Sequence, residues 1–306
     1  HRDLHSFPTR RSSDLTYDLT GKTIIITGGN SGIGKAAALK LALVGATVVM
    51  ACRSAERGAR AQEEIRQASG NHRVEWMQVD MASQASIRQF AVAFQDRHTQ
   101  LDGLIHNAAN FDLSMKKPVL TEDGVETIFA TNHVGIFLLT HLLLDLLKAS
   151  APSRIITVAS KGLNLYPNLD IEFDNLNGER KYSPQHAYYH SKLAQVMYTY
   201  DLAERLQGTG VTVNCIRVTN VALPDERLGN IPGWLRKIYS LKRSMAITPE
   251  AQADTYLYLA ADPDVEHITG KYWDEHNRQV ASSKKSYRRE TWQQLWETTS
   301  RLAGIS

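Results

Sequence analysis

Residues 22–44 constrain the fold more than any other stretch. Lys22 to Thr27 is a short apolar run with three isoleucines, which suits a buried strand. It runs directly into Gly28-Gly29-Asn30-Ser31-Gly32-Ile33-Gly34, and Lys35 to Val44 then reads as a helix rich in Ala and Leu. Strand, glycine turn and helix in that order make a dinucleotide-binding start. The glycines let backbone approach a pyrophosphate. The helix N-terminus offers it free N–H groups and the positive end of a dipole. A glycine string alone is a weak signal; its strand-to-helix context gives it meaning.

The rest of the chain alternates in the same way. Strands are predicted near 22–27, 46–52, 74–79, 102–106, 153–159, 210–216 and 270–273, and helices near 32–44, 54–69, 83–98, 122–149, 182–208, 248–261 and 288–302. Such alternation implies an α/β fold of Rossmann type, a doubly wound parallel sheet with helices on both faces. No Pro/Gly/Ser-rich linker and no repeat divides it, so one domain is expected. Ligands of such sheets bind at the carboxyl ends of the strands. Gly28, Asp80, Asn107 and Ser160 all end or follow strands, and the topology brings them to that crevice.

Tyr188 and Lys192 carry the chemistry. Four residues apart on a helix, they share one face. A phenol with a pKa near ~10 is a poor proton donor or acceptor at neutral pH. An ammonium beside it favours the phenolate and pulls that pKa toward the working range. Tyr189 is adjacent, but only Tyr188 has a Lys at i+4. Such a Tyr gives a proton to a carbonyl oxygen or takes one from an alcohol.

With its Gly-x-x-x-Gly-x-Gly spacing and its Tyr–Lys pair, the chain resembles the short-chain dehydrogenase/reductase family in its classical single-domain form, from Leu19 to about Leu302. Within the family, three segments are most similar to retinol-dehydrogenase-like reductases: the Gly-Asn-Ser-Gly-Ile-Gly-Lys turn, the strand end Ala51-Cys52-Arg53 and the stretch His190-Ser191-Lys192-Leu193-Ala194. The resemblance implies a nucleotide-binding oxidoreductase, an alcohol dehydrogenase or carbonyl reductase. Its catalytic residues would be Asn132, Ser160, Tyr188 and Lys192. Ser160 would hydrogen-bond the substrate oxygen, Lys192 would hold the nicotinamide ribose, and Asn132 would hold a water linking Lys192 to solvent. The cofactor would meet Gly28, Asn30, Ser31, Gly32, Ile33 and Gly34 in the turn. Asp80 and Met81 would meet it at the adenine, and Asn107-Ala108-Ala109 matches the family's Asn-Ala-Gly. His190 and Ser191 point off the Tyr–Lys face and are assigned no chemistry. His133 and His186 read as surface or packing residues.

Cofactor choice rests on the second strand's end. An NAD-selective site wants an acid there for the ribose 2′-hydroxyl. This chain has Cys52 and Arg53, and an Arg forks onto a 2′-phosphate. NADP is therefore expected over NAD, with Lys35 and Asn30 near enough in the turn to assist. The family pattern fails after the sixth strand, where Val218-Thr219 stand in place of Pro-Gly. Thr219 remains available to hydrogen-bond the carboxamide or a phosphate.

Several classes are argued against. Thirty-five basic against 32 acidic residues give a formal charge of +3, no case for nucleic acid. No His/Cys/Asp cluster has metal-ligand spacing, so no metal is expected. Cys52 and Cys215 fall in predicted strands and read as buried free thiols. No uninterrupted apolar run reaches ~18 residues, so no membrane span is indicated and a cytoplasmic place is expected. Residues 6–15, Ser-Phe-Pro-Thr-Arg-Arg-Ser-Ser-Asp-Leu, read as a translated sequencing adaptor. Residues 1–15 are set aside with it, and the domain is taken as 16–306.

Segments 110–121, 161–187 and 220–247 should line the substrate pocket. In the third, Ile231, Trp234, Leu235, Ile238, Tyr239 and Leu241 recur at helical spacing, as in an amphipathic lid. A bulky apolar carbonyl or alcohol fits that, such as a retinoid, a steroid-like molecule or a long-chain aldehyde. Arg236, Lys237, Lys242 and Arg243 beside it admit weak peripheral membrane contact. Trp292, Leu295, Trp296 and Leu302 mark a last helix that packs on the body or at a subunit contact, and a homo-oligomer is expected. Two other readings stay open. One is a catalytically weak nucleotide-binding or redox-sensing protein of the same fold. The other is an extended-type epimerase or dehydratase, which would want a different glycine spacing.

Overall fold

Seven short strands, all parallel, form one sheet in a computed structural model that describes residues 17–112, 114–219 and 247–305. The strands are β1 (Thr23–Thr27), β2 (Thr47–Cys52), β3 (Val74–Gln78), β4 (Gly103–His106), β5 (Ser153–Ser160), β6 (Val211–Val218) and β7 (Lys271–Trp273), in the order β3-β2-β1-β4-β5-β6-β7. The order reverses between β1 and β4, which opens the crevice expected of a doubly wound sheet. Residues 1–15 and the amphipathic stretch 231–241 lie outside the described residues.

The helices are α1 (Gly32–Leu43), α2 (Ala55–Ser69), α3 (Gln84–Gln95), α4 (Thr127–Ala149), α5 (Pro184–Arg205), α6 (Pro249–Ala261) and α7 (Arg289–Leu302). Local chemistry sets their starts. Ser54, Ser83, Ser183 and Thr248 accept backbone N–H bonds as N-caps, and Pro184 and Pro249 sit in first turns, where no N–H is missed. Helix α4 begins later than the predicted 122, because Leu120 and Glu126 first pair in a small antiparallel bridge.

Period-two alternation divides the core. Ile24 and Ile26 of β1 face α1, α2 and α6, whereas Ile25 faces α3, α4, α5 and α7. Helix α7 packs on the body. Trp292 and Leu295 are buried, Trp296 meets Phe137 edge-on at 4.8 Å, and the Arg205 guanidinium lies 3.9 Å from a Trp296 ring centre.

Helix α4 carries the apolar run Ile136–Leu147, which the sequence marks as the buried part of a long helix under the sheet. Its best 18-residue window has a mean hydropathy of 1.5, enough by length and composition to cross a membrane. Unbroken apolar runs do not reveal it, because Thr140 and His141 interrupt the run without lowering the mean much. Of that window 72% is buried within the fold, which makes it the core helix beneath the sheet. His133, on α4, is buried and bonds Thr299 of α7 at 2.9 Å, a packing role.

Candidate active site

The glycine turn closes tightly over the end of β1. Gly28 has φ +67°, a conformation side chains resist. A Cβ on Gly34 would collide with the Gly28 carbonyl oxygen and the Asn107 amide. Asn107 braces the turn, its Nδ2 donating to the Thr27 carbonyl at 3.0 Å while its Oδ1 accepts from the Tyr256 hydroxyl at 3.0 Å. Ala108 N donates to Thr27 Oγ1 at 2.9 Å, and Ala109 is exposed beyond it. Ser31 stands at the N-cap of α1 but makes no capping bond, unlike the caps of α2, α3, α5 and α6. The first N–H groups of α1, around Gly32 and Ile33, therefore have no side-chain acceptor, and Asn30 lies partly open beside them. A glycine cradle that a Cβ would fill and an uncapped helix end fit a pyrophosphate.

Arg53 is exposed at the end of β2, and its guanidinium makes no ion pair among the described residues. Lys35, by contrast, is paired with Glu64 of α2 at the surface, both side chains partly exposed. The Cys52 thiol is buried, with Gly58 packed against it. Cys215 is also buried and free. Asp80 follows β3 and accepts from Ala82 N at 2.9 Å, which fixes the turn that carries buried Met81.

Tyr188 and Lys192 lie on α5, with Ser160 facing them from β5. The Ser160 hydroxyl accepts from Gly162 N at 3.1 Å. Burial raises the Tyr188 phenol well above its ordinary range, the neighbouring Tyr189 adds to this, and hydrogen bonding with Ser160 opposes it. Tyr189 turns elsewhere. Its ring lies tilted 4.6 Å from that of Tyr166, and its hydroxyl fills the space a side chain at Gly162 would need.

Lys192 departs from the expected electrostatics. Its Nζ donates to the Val158 carbonyl at 2.7 Å and to Gln195 Oε1 at 2.8 Å, and sits 5.7 Å from the Tyr188 ring centre. Burial pushes its own pKa down to about 7. Burial is the largest cause of both shifts, and the Tyr188 phenol is raised rather than lowered.

Asn132 sits in a π-helical turn, Ala130–Val134, at the start of α4 and is fully buried. Its Oδ1 accepts from Asn110 N at 2.7 Å, and its Nδ2 donates to Asn110 O and to Ser191 Oγ, both at 3.0 Å. Both Nδ2 hydrogens are used by protein partners, while Oδ1, with one partner, keeps a second acceptor site. Ser191 donates in turn to the Tyr188 carbonyl at 2.7 Å. Thr219 follows β6, its N–H donating to Gln252 Oε1 at 3.3 Å.

Three further residues touch these side chains that the sequence reading did not single out. Helical spacing puts Ser191 off the Tyr–Lys face, yet it joins Tyr188 to Asn132. Gln195, at i+3 from Lys192, has a spacing that could have revealed it. Phe111, whose ring lies 4.3 Å from that of Tyr188, falls in the segment 110–121 expected at the pocket but is not singled out within it. His190 is also more than a bystander. Its Nε2 accepts from Glu172 N at 2.9 Å and fastens the segment after β5.

Comparison with known proteins decides the family. The family model for short chain dehydrogenases matches residues 22–169. Human retinol dehydrogenase 14 is 39% identical over 299 residues, covering 93% of this chain and 87% of the relative. Human retinol dehydrogenase 13 is 40% identical over 310 residues, covering 99% and 90%. The chain belongs to the short-chain dehydrogenase family. Among solved structures, an uncharacterised protein of Mycobacterium paratuberculosis superposes with a TM-score of 0.73 at 26% identity, covering 97% of this chain and 98% of that one. This short-chain dehydrogenase is accordingly an oxidoreductase acting on CH–OH groups of small molecules with a nicotinamide cofactor.

Proposed function

We propose that this short-chain dehydrogenase interconverts a carbonyl and an alcohol on a bulky apolar substrate, with NADP(H) and with Tyr188 as the acid/base. The convergence of Tyr188, Ser160 and Lys192 at the carboxyl end of β5 carries this reading. The bound nicotinamide supplies or accepts the hydride. The chain's own residues do the rest. The glycine turn and the uncapped start of α1 hold the pyrophosphate, with Asp80, Met81 and Asn107-Ala108-Ala109 at the walls of the cofactor crevice. Arg53 takes the 2′-phosphate, and Thr219 bonds the carboxamide end. Ser160 orients the substrate oxygen toward Tyr188. A phenol that resists ionisation starts carbonyl reduction in the protonated state, ready to give its proton to that oxygen. Lys192 then stabilises the phenolate and steadies the ribose.

A cavity of about 180 Å³ lies behind the segment after β5, lined by Leu163, Leu169, Leu193 and Val196 but also by Asn164 and Ser282. Its tie to the site is Tyr272, whose hydroxyl donates to the Ser160 backbone carbonyl at 3.5 Å. Two of the chain's relatives bear the name retinol dehydrogenase. A panel of retinoid, steroid and long-chain carbonyls assayed with NADPH and NADH tests the reading. Tyr188→Phe should lower turnover by ~10² or more while nucleotide binding survives. Nucleotide binding without turnover of any carbonyl would favour the non-catalytic reading. Full activity in Tyr188→Phe with loss in Tyr189→Phe would move the acid/base by one residue.

A further inference from the structure

Lys192 is 2% exposed and Gln195 is not exposed at all. No acid forms an ion pair with this ammonium among the described residues. Its partners are two neutral oxygens, the Val158 carbonyl and Gln195 Oε1. Gln195 is an odd residue for such a place. Its Nε2 is buried and has no hydrogen-bond partner, a penalty that Leu or Met would not incur. Its backbone carbonyl is already used, by Thr199 Oγ1 at 2.9 Å as well as by the helix. The one thing its side chain does here is receive the Lys192 ammonium. The i, i+3 spacing lets it do so from the same helix face.

We propose that Gln195 is a positioning residue for Lys192: its amide oxygen holds the ammonium on the sheet side of Tyr188 and sets how readily it stays charged there. The inference rests on the role proposed for Lys192 at Tyr188. The titratable groups that bear on Nζ are the Tyr188 phenol from the same helix and the Cys215 thiol from β6; the contact from β5 is a backbone carbonyl. The low Lys192 pKa fits an ammonium kept by dipoles alone.

Two substitutions separate positioning from packing. Gln195→Met keeps the volume and removes the acceptor. Gln195→Glu keeps the shape and adds a charge. The full chain, labelled with ¹³Cε-lysine, is titrated by NMR, and the Lys192 signal is identified by its loss in Lys192→Met. The midpoint should fall by about one pH unit or more in Gln195→Met and rise by about one in Gln195→Glu. The alkaline limb of carbonyl reduction should move the same way in each. Unmoved midpoints, or shifts of one sign in both variants, overturn the proposal. If Gln195→Met does not fold, the rise in Gln195→Glu still decides it. The NMR titration needs no turnover, so a failure of the functional reading in the carbonyl panel is seen separately.

Discussion

The Phe111 ring packs against the Tyr188 ring with centroids 4.3 Å apart and planes tilted by 54°. Phe111 is itself 48% exposed, so it closes one side of the phenol while offering its other face outward. Phe111→Ala removes that wall. The KM for an apolar carbonyl should rise roughly 3- to 10-fold, the equivalent of about 1 kcal/mol of lost apolar contact. Water reaching Tyr188 should also lower its pKa, since burial is the largest cause of its elevation. A ¹³Cζ-tyrosine NMR titration, with the signal identified by its loss in Tyr188→Phe, should show that fall. Steady-state kinetics measures KM, and an unchanged KM would remove Phe111 from the pocket wall.

Ser191 offers a test of the brace behind the site. Ser191→Ala takes from Asn132 Nδ2 one of its two acceptors inside a fully buried region. The expected cost is about 1–3 kcal/mol in urea unfolding. Turnover should fall with it, because Asn132 positions the backbone of Asn110 beside Phe111. A variant as stable and active as the parent would make this bond incidental.

Ser191 marks where sequence reading stops. The turn from Gly28 to Gly34 is legible because strand periodicity and glycines are local signals. The missing cap on α1 is not, since Ser31 is a good capping residue by type. Tyr188 is distinguished from Tyr189 by its Lys at i+4; the two rings meet edge-on at 5.2 Å, and Tyr189 also packs on Tyr166. Ser191 escapes because a helical wheel knows nothing of Asn132, 59 residues away. The direction of the Tyr188 pKa escapes for a similar reason. Spacing reveals the ammonium, whereas burial depends on Phe111 and the rest of the fold.

Buried histidines should make the enzyme sensitive to acid. Burial pushes His106 and His133 down to about 3 and His190 to about 4, from 6.5. Between about pH 4 and 6.5 the unfolded chain binds three protons that the folded chain does not. Stability is therefore complete above pH 6.5 and is lost as pH falls. The slope from these groups approaches about 4 kcal/mol per pH unit, at about 1.4 for each. Glu126, raised by burial, works against this near its own titration. Urea unfolding at pH 7, 6 and 5 should show the loss, and His133→Asn should remove about a third of the slope. A flat profile would mean that the histidines are protonated in the fold.

The proposed preference for NADP(H) rests on one exposed cation. Arg53 ends β2 without an ion pair among the described residues, while Lys35 is paired with Glu64. A charge-assisted contact to a 2′-phosphate is worth about 1.5–3 kcal/mol, roughly ten- to a hundredfold in affinity. The enzyme should prefer NADPH to NADH in kcat/KM by about that factor. Arg53→Ala should lose most of the preference by weakening NADPH, with NADH little changed. The acid that would reverse the choice belongs at 53 and not at 52. Cys52 is buried with Gly58 packed against it, so a carboxylate there would be desolvated and turned away from a ribose. Arg53→Asp, at an exposed position, adds an acceptor for the 2′-hydroxyl and repels the phosphate, and should favour NADH. Fluorescence titration of each nucleotide against the three proteins measures this without turnover. Equal weakening of both cofactors in Arg53→Ala would show that Arg53 does not hold the phosphate, and the preference would then have to arise in the glycine turn itself.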